Sequence, residues 1–299
     1  MLGLAANLFN KLFTADKWNI GYVYQSQEEL ISTRKLDSQI KWLEEDNVDY
    51  AADPFVIDVD HKPRIYYEEL NFWKGKGEIM MIDDFTFTNK KRVEGIKPGS
   101  IHLSYPFLIN SGGKCFCVPE TAASKEIALY QIDQKDPTQL IKQKVLIEGE
   151  SFVDTSILHH NEQYWLFTTI SGKHTELYIY YADELDGEYK PHQLNPIPVE
   201  RRVCRAAGDL FKVNGKIYRP TQNPTARYGG SIIINEIVEL CHKHFKSTEL
   251  FELMPDQNYN RGMHNISFAN GIIVFDGKRK VINALVPLKK LVRKIRMRF

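Results

Sequence analysis

The 299-residue chain carries 39 Lys and Arg against 38 Asp and Glu, a net charge of +1, with 43% hydrophobic and 12% aromatic residues. That composition excludes disorder for most of its length, and the balanced charge lacks the polyelectrolyte field that nucleic-acid binding requires. The length admits one large β domain or two small ones.

The first segment, residues 1–17, opens "MLGLAANLFNKLF" and places Leu2, Ala5, Leu8, Phe9 and Leu12 on one helical face. No basic residue precedes its apolar run and Lys11 interrupts it, unlike a secretory signal. Nowhere does the chain approach the roughly 20 apolar residues of a spanning helix. A cytoplasmic location is expected.

"WNIGYVY" at 18–24 reads as a strand and "QEELIS" at 27–32 as a short helix. From residue 53 a pattern recurs: "DPFVIDVDHKPRIYYEE", "YPFLINSGGKCFCVPE", "DTSILHHNEQYWLFTT", "AGDLFKVNGKIYRPTQ" and "HNISFANGIIVFDGK". Each is an apolar strand, a polar turn and a second aromatic or β-branched strand. Their first residues are Asp53, Tyr105, Asp154, Ala207 and His264, at steps of 52, 49, 53 and 57 residues, the length of a four-stranded propeller blade. Segments such as "EIALYQI", "ELYIYYA" and "SIIINEIVEL" supply outer strands. The expected fold is all-β, a five-bladed β-propeller over 18–283 with short terminal helices, in which 18–24 closes the ring by pairing with the last blade. A two-domain β-sandwich is the structural alternative.

Cys115, Cys117, Cys204 and Cys241 are too few and scattered for a disulfide framework and are read as reduced thiols. His159 and His160, and His242 and His244 beside Cys241, are read as solvated turns, so no metal site and no cofactor is expected.

The first strand of a propeller blade lines the central channel, so residues of equal phase form a ring at one mouth. That ring reads Asp53, Tyr105, Asp154, Ala207, His264, and a second ring fifteen residues on reads Glu68, Glu120, Thr169, Gln222. Acids rarely face an interior without a partner, so the two aspartates either cap their own turns, bind an arginine, or mark a site. Near the fourth unit, Arg201, Arg202, Arg205, Arg219, Arg227 and Tyr228 cluster around strand ends, as charge compensation or as a phosphate or carboxylate subsite. No nucleotide-binding glycine loop is present. A cavity lined by acids, Tyr, His, Arg and Gln suits sugar hydroxyls, and paired carboxylates are what cleavage of a glycosidic bond needs.

At these residues the sequence resembles the five-bladed propellers of the glycoside hydrolase family 43 superfamily. "AADPFVI" matches the motif that carries the family's catalytic base, which implies that role for Asp53. "VDTSIL" matches the motif whose aspartate tunes the acid, implying that role for Asp154, with Thr155 where the family has proline. The family's general acid is a glutamate opening the fourth blade; here that slot is Ala207 within "RAAGD", which leaves Glu120, Asp209 or Glu200 as substitutes. The order "W-IG", "DP", "H-SYP", "PE", "DTS", "R-AG", "YRP-Q" and a late His, over residues 18–270, is similar to the propeller domain that precedes the transferase domain of plant glucosamine inositolphosphorylceramide transferases and to bacterial proteins of surface-glycan assembly. The transferase domain lies outside this resemblance, so its activity is not carried over.

The tail at 284–299 includes "VPLKKLVRKIRMRF", with six basic residues, no acid, and Leu288, Leu291, Val292 and Ile295 at helical spacing. It is expected either to dock on the propeller or to lie on an anionic surface at the inner face of a membrane. The leading reading is an enzyme that cleaves or transfers a glycosyl group in cell-surface polysaccharide or glycolipid metabolism, taking a carbohydrate or sugar-phosphate ligand. Its catalytic residues would be Asp53, Glu120 and Asp154, with Glu68, Tyr105, Arg205, Arg219, Gln222, Tyr228 and His264 binding substrate. A non-catalytic glycan-binding module is the alternative; a protein-binding scaffold would instead show a featureless channel mouth.

Overall fold

The computed structural model describes residues 12–46, 48–59, 62–96 and 101–296, with the side chains of residues 290 and 293–296 outside the description. Leu2, Ala5, Leu8 and Phe9 of the N-terminal stripe, and the side chain of Ile295, therefore lie outside the described residues.

The chain begins with β1 (Thr14–Tyr24), α1 (Gln27–Thr33) and β2 (Lys41–Trp42). Blade one is β3 (Tyr50–Val59), β4 (Lys62–Asn71), β5 (Lys76–Ile82) and β6 (Lys91–Arg92). Blade two is β7 (Ser104–Ser111), β8 (Lys114–Glu120), β9 (Glu126–Ile132) and β10 (Leu140–Glu148). Blade three is β11 (Phe152–His160), β12 (Gln163–Ile170), β13 (Glu176–Ala182) and β14 (Lys190–Pro191), with β15 (Ile197–Pro198) also on β13. Blade four is β16 (Phe211–Val213), β17 (Lys216–Asn223), β18 (Ser231–Leu240) and β19 (Phe245–Leu253). Blade five takes β20 (Ile266–Ala269) and β21 (Ile272–Ile282) from the end of the chain and β1 and β2 from its start. The helix α2 (Val286–Arg296) follows.

β1 pairs with β21 from Thr14↔Ile282 to Tyr24↔Ile272, so the ring closes through a seam eleven residues long. This closure fits a propeller and not two sandwiches. Alternation along β1 serves both neighbours of the seam: Ile20 packs into the core shared with blade one, and Val23 into the core shared with blade four. At α1, Ser26 and Glu29 form a reciprocal capping box, which fixes where the helix starts.

The innermost strands share one irregularity. Pairing slips between Ala52 and Phe55, between Ser104 and Phe107, and between Val153 and Ser156. Within each slip sits a left-handed residue: Asp53 at φ 50°, Tyr105 at 43° and Asp154 at 50°. These bulges turn three equally phased side chains out of the ladder at one mouth of the channel, here called the front.

Blade four departs from that scheme, and two expected positions move. Its left-handed residue is Gly208, at φ 109°, while Ala207 is buried in the apolar core. Ala206 pairs with Thr221, so Thr221 and not Gln222 holds the register position equivalent to Glu68, Glu120 and Thr169. Backbone bonds tie blades four and five at this point, Ile266 N–H donating to Ala207 O at 3.0 Å and Asp209 N–H to Ile266 O at 3.1 Å. A Cβ on Gly208 would lie 1.8 Å from Ile266 O. Gly208→Ala should therefore cost about 3 kcal/mol or more, combining left-handed strain with a backbone clash. Urea unfolding with an unchanged midpoint would show that the two blades are not locked this way.

The rear of the channel is a separate cavity of 540 Å³ whose walls include Val56, Phe107, Leu158, Phe211 and Phe268. Asp209 belongs to this end. Its carboxylate accepts from Ser267 Oγ at 2.6 Å and Phe268 N–H at 3.0 Å, and burial pushes its pKa up to about 7. An unfolded Asp ionises near 3.9, so the folded chain loses stability as pH rises from about 4 to about 7. Asn accepts the same two hydrogen bonds without ionising. The melting temperature of Asp209→Asn relative to the parent should rise across that window and level off above it; a difference that stays flat between pH 5 and 8 would show that the carboxyl ionises freely.

Candidate active site

The bulges create the site by freeing backbone donors as well as by aiming side chains. A left-handed residue withdraws its N–H from the ladder, and a buried N–H must find another acceptor. Asp53 N–H donates to Asp276 Oδ2 at 3.1 Å, and Asp154 N–H to Glu120 Oε2 at 3.0 Å. Gly208 N–H donates to the Tyr105 hydroxyl at 2.7 Å. In each case the acceptor belongs to another blade, so one set of bonds joins the blades and gathers acids at the front mouth.

Asp276 is fully buried and accepts from three backbone N–H groups, those of Asp53, His264 at 2.7 Å and Asn265 at 3.1 Å. His264 Nδ1 lies 2.5 Å from Asp276 Oδ2 and 3.7 Å from Asp53 Oδ1. Its ring stacks on Trp18, centroids 4.0 Å apart. Burial opposes charge on His264, but Asp276 and Asp53 outweigh it and raise its pKa. Asp53 is pushed well above the usual carboxylate range, first by burial, with the imidazolium of His264 working the other way and Glu68, Asp276 and Asp154 adding repulsion. Asp53, His264 and Asp276 bring potential ligand atoms within 4.8 Å of one another. Both oxygens of Asp276 are already engaged by N–H groups and the imidazole, so the trio is a closed ion-pair network.

The other side of the mouth holds Glu120, Asp154 and Arg205. Arg205 Nε hydrogen-bonds Asp154 Oδ2 in a largely buried pair. Glu120 is raised to about 7 by burial and by the charge of Asp154, against the pull of Arg205, the Asp154 N–H and His102. Glu68 completes the acids, 3.2 Å from His102 Nε2, while Gly77 N–H donates to His102 Nδ1 at 2.9 Å. Tyr228 covers this ground with a ring that is 55% exposed, 5.9 Å from the Arg205 guanidinium and edge-on to His264 at 5.6 Å. Lys278 bonds Tyr228 O and lies over Trp18.

Asp53, Glu68, Glu120, Asp154, Arg205, Tyr228 and His264 thus share the front mouth. Three residues expected to bind substrate direct hydrogen bonds into the fold. The Tyr105 hydroxyl is bonded to Ser156 Oγ at 2.9 Å and to both backbone groups of Gly208. Arg219 donates to the carbonyls of Val203 and Cys204 beneath Phe167, and burial lowers it to about 10. Gln222 donates to Ala206 O at 2.8 Å. Of the other arginines, Arg202 pairs with Glu249 and Arg201 is exposed. Asp209 lies at the rear and Glu200 at the surface, so neither substitutes for an acid. Asp276 escaped the sequence reading. Its signal was an acid inside the apolar run "IIVFDG", where Asp-Gly mimics a turn.

The fold is that of solved carbohydrate-active propellers. The α-L-arabinofuranosidase of Podospora anserina in complex with cellotriose superposes at TM-score 0.57 and 10% identity, covering 79% of this chain and 93% of that one. A thermostable family-43 glycoside hydrolase superposes at 0.50 and 13% identity, covering 66% and 74%. In sequence, glucosamine inositolphosphorylceramide transferase 1 of Oryza sativa subsp. japonica is 30% identical over 196 residues, covering 60% of this chain and 26% of that protein. The chain thus spans about a quarter of that relative. Residues 43–268, about three quarters of the chain, match the family described as Glucosamine inositolphosphorylceramide transferase 1, N-terminal, and the chain belongs to that family.

Proposed function

We propose that the chain is a carbohydrate-active enzyme that cleaves or transfers a glycosyl group, in the metabolism of cell-surface polysaccharide or glycolipid. The observation that carries this reading is the pair of buried acids at one mouth, Asp53 and Glu120, both raised in pKa and each fixed by a different network. Glu120, with a pKa of about 7, is the acid: substantially protonated up to neutral pH, it donates to the departing glycosidic oxygen. Asp53 is the base, taking a proton from the attacking water or acceptor hydroxyl. Its raised pKa makes it a strong acceptor once ionised, and His264 supports the ionised form. Asp154, clamped by Arg205, fixes Glu120 through its N–H, and Tyr228 offers an exposed face for a sugar ring. The lipid glycan named in the rice relative and the sugar ligand of the Podospora propeller support the substrate class.

A non-catalytic glycan-binding module is the second reading. It is favoured by the fourth blade, which presents Ala207 and Gly208 where a carboxylate would complete the ring.

Turnover should follow a narrow bell. Activity needs Asp53 ionised and Glu120 protonated, so the acidic limb should lie above the usual Asp range and the alkaline limb near 7; as a coupled pair the two limbs report the site as a unit. Asp53→Asn and Glu120→Gln should each lower turnover of unactivated glycosides by about 10²- to 10⁴-fold while leaving the fold intact. Glu120→Gln should also lose the alkaline limb and retain most activity toward glycosyl fluorides, whose leaving group needs little protonation. Near-parental activity in Asp53→Asn would remove it from the mechanism, and sugar binding without turnover in the parent would establish the module.

A further inference from the structure

The basic tail does not simply hang from the propeller. β21 runs from Ile272, beside the rear hairpin, toward the front, where Lys278 meets Tyr228, and continues to Ile282 opposite Thr14. α2 therefore starts on the side of the molecule that carries the catalytic mouth. There it is pinned: Lys289 Nζ pairs with Asp49 Oδ1 at 2.7 Å and lies 5.9 Å from the Trp73 ring centroid, and Val286 is buried. Asp49 stands four residues before Asp53.

Helical spacing puts Val286 and Lys289 on one face and turns Leu288 and Leu291 away from it, while Leu285 lies just ahead of the helix. Leu288 and Leu291 are 50% and 55% exposed, and Leu285 and Ile282, which lead into the helix from the end of β21, are exposed as well. With Lys289 spent on Asp49, Lys290, Arg293, Lys294, Arg296 and Arg298 bring five more positive charges and no acid to a chain whose net charge is only +1. At eleven residues α2 is too short to cross a bilayer, and no described helix is long and apolar enough to do so.

We propose that α2 is a surface-docking element that lays its leucine face into an anionic lipid leaflet and turns the front mouth of the propeller toward that leaflet. Charge complementarity chooses the partner: a leucine stripe within a purely basic segment matches a surface that is apolar below and anionic above. A protein groove would need acids matched to each arginine. The docking geometry is independent of the chemistry at Asp53. Where it rests on the glycosyl reading above, it adds that the glycan is lipid-borne and is presented at the membrane.

The test uses the full chain and vesicles of phosphatidylcholine with and without phosphatidylglycerol. Binding should require the anionic lipid and weaken with added salt. Leu288→Ser/Leu291→Ser alters only the exposed face and should lower binding by about tenfold or more with unchanged melting behaviour. Orientation is read by quenching from brominated lipid: a fluorophore at Ala226→Cys, beside the front mouth, in a Cys115→Ser/Cys241→Ser chain should be quenched. The same dye on native Cys241, at the turn between β18 and β19, should not be. Absent binding, equal binding of the double variant, or equal quenching at the two sites would overturn the proposal. Those outcomes would leave the pH profile of Asp53 and Glu120 untouched, so docking and chemistry fail separately.

Discussion

The structure turns on where a withdrawn backbone N–H finds its acceptor. At Asp53 and Asp154 a left-handed bulge takes the amide out of the ladder, and a buried amide must find another acceptor. A charged acceptor, worth roughly twice a neutral one, satisfies the donor but introduces a buried anion. Asp276 is one such acceptor, and Glu120, raised to about 7, becomes one as it ionises. Each then needs a cation within reach, and His264 and Arg205 supply one on each side of the mouth. The acids of the site are thus consequences of the fold's irregular strand starts as much as of any chemistry performed there. At Gly208 the same need is met by a phenol, which is neutral, and that sector carries no acid.

How much of this the sequence reveals depends on whether a feature is set by phase or by partner. The five units, their spacing and the closing strand follow from alternation and repeat length, which are local properties of the chain. Asp53, Asp154 and His264 are found as neighbours for the same reason, because equal phase in a propeller means equal height on the channel. Phase does not say where a side chain's hydrogen bonds go. Tyr105 shares the bulge of Asp53 and Asp154, yet its longer reach carries the hydroxyl to Ser156 and Gly208. Arg219 lies in a strand beside the site, but the carbonyls of Val203 and Cys204 claim its guanidinium. Gln222 misses its ring because blade four slips its pairing, a shift that no local pattern announces.

Charge balance at the front mouth explains why its acids are strong candidates for proton transfer. Asp53, Glu68, Glu120, Asp154 and Asp276 face His102, His264, Arg205 and Lys278. Arg205 serves Asp154 first, His264 serves Asp276 first, and His102 serves Glu68. Asp53 and Glu120 are left with the weakest share of positive charge, and these are the acids raised above the usual range. Repulsion from ionised neighbours adds to burial in both, so protonating one eases the ionisation of groups around it. A site built this way holds a proton near neutrality without a dedicated hydrophobic pocket for its acid. Blade four carries no carboxylate at this mouth, and under the proposed chemistry the acid would be Glu120 of blade two, whose hydrogen bond to the Asp154 N–H joins blades two and three and fixes where its proton is held.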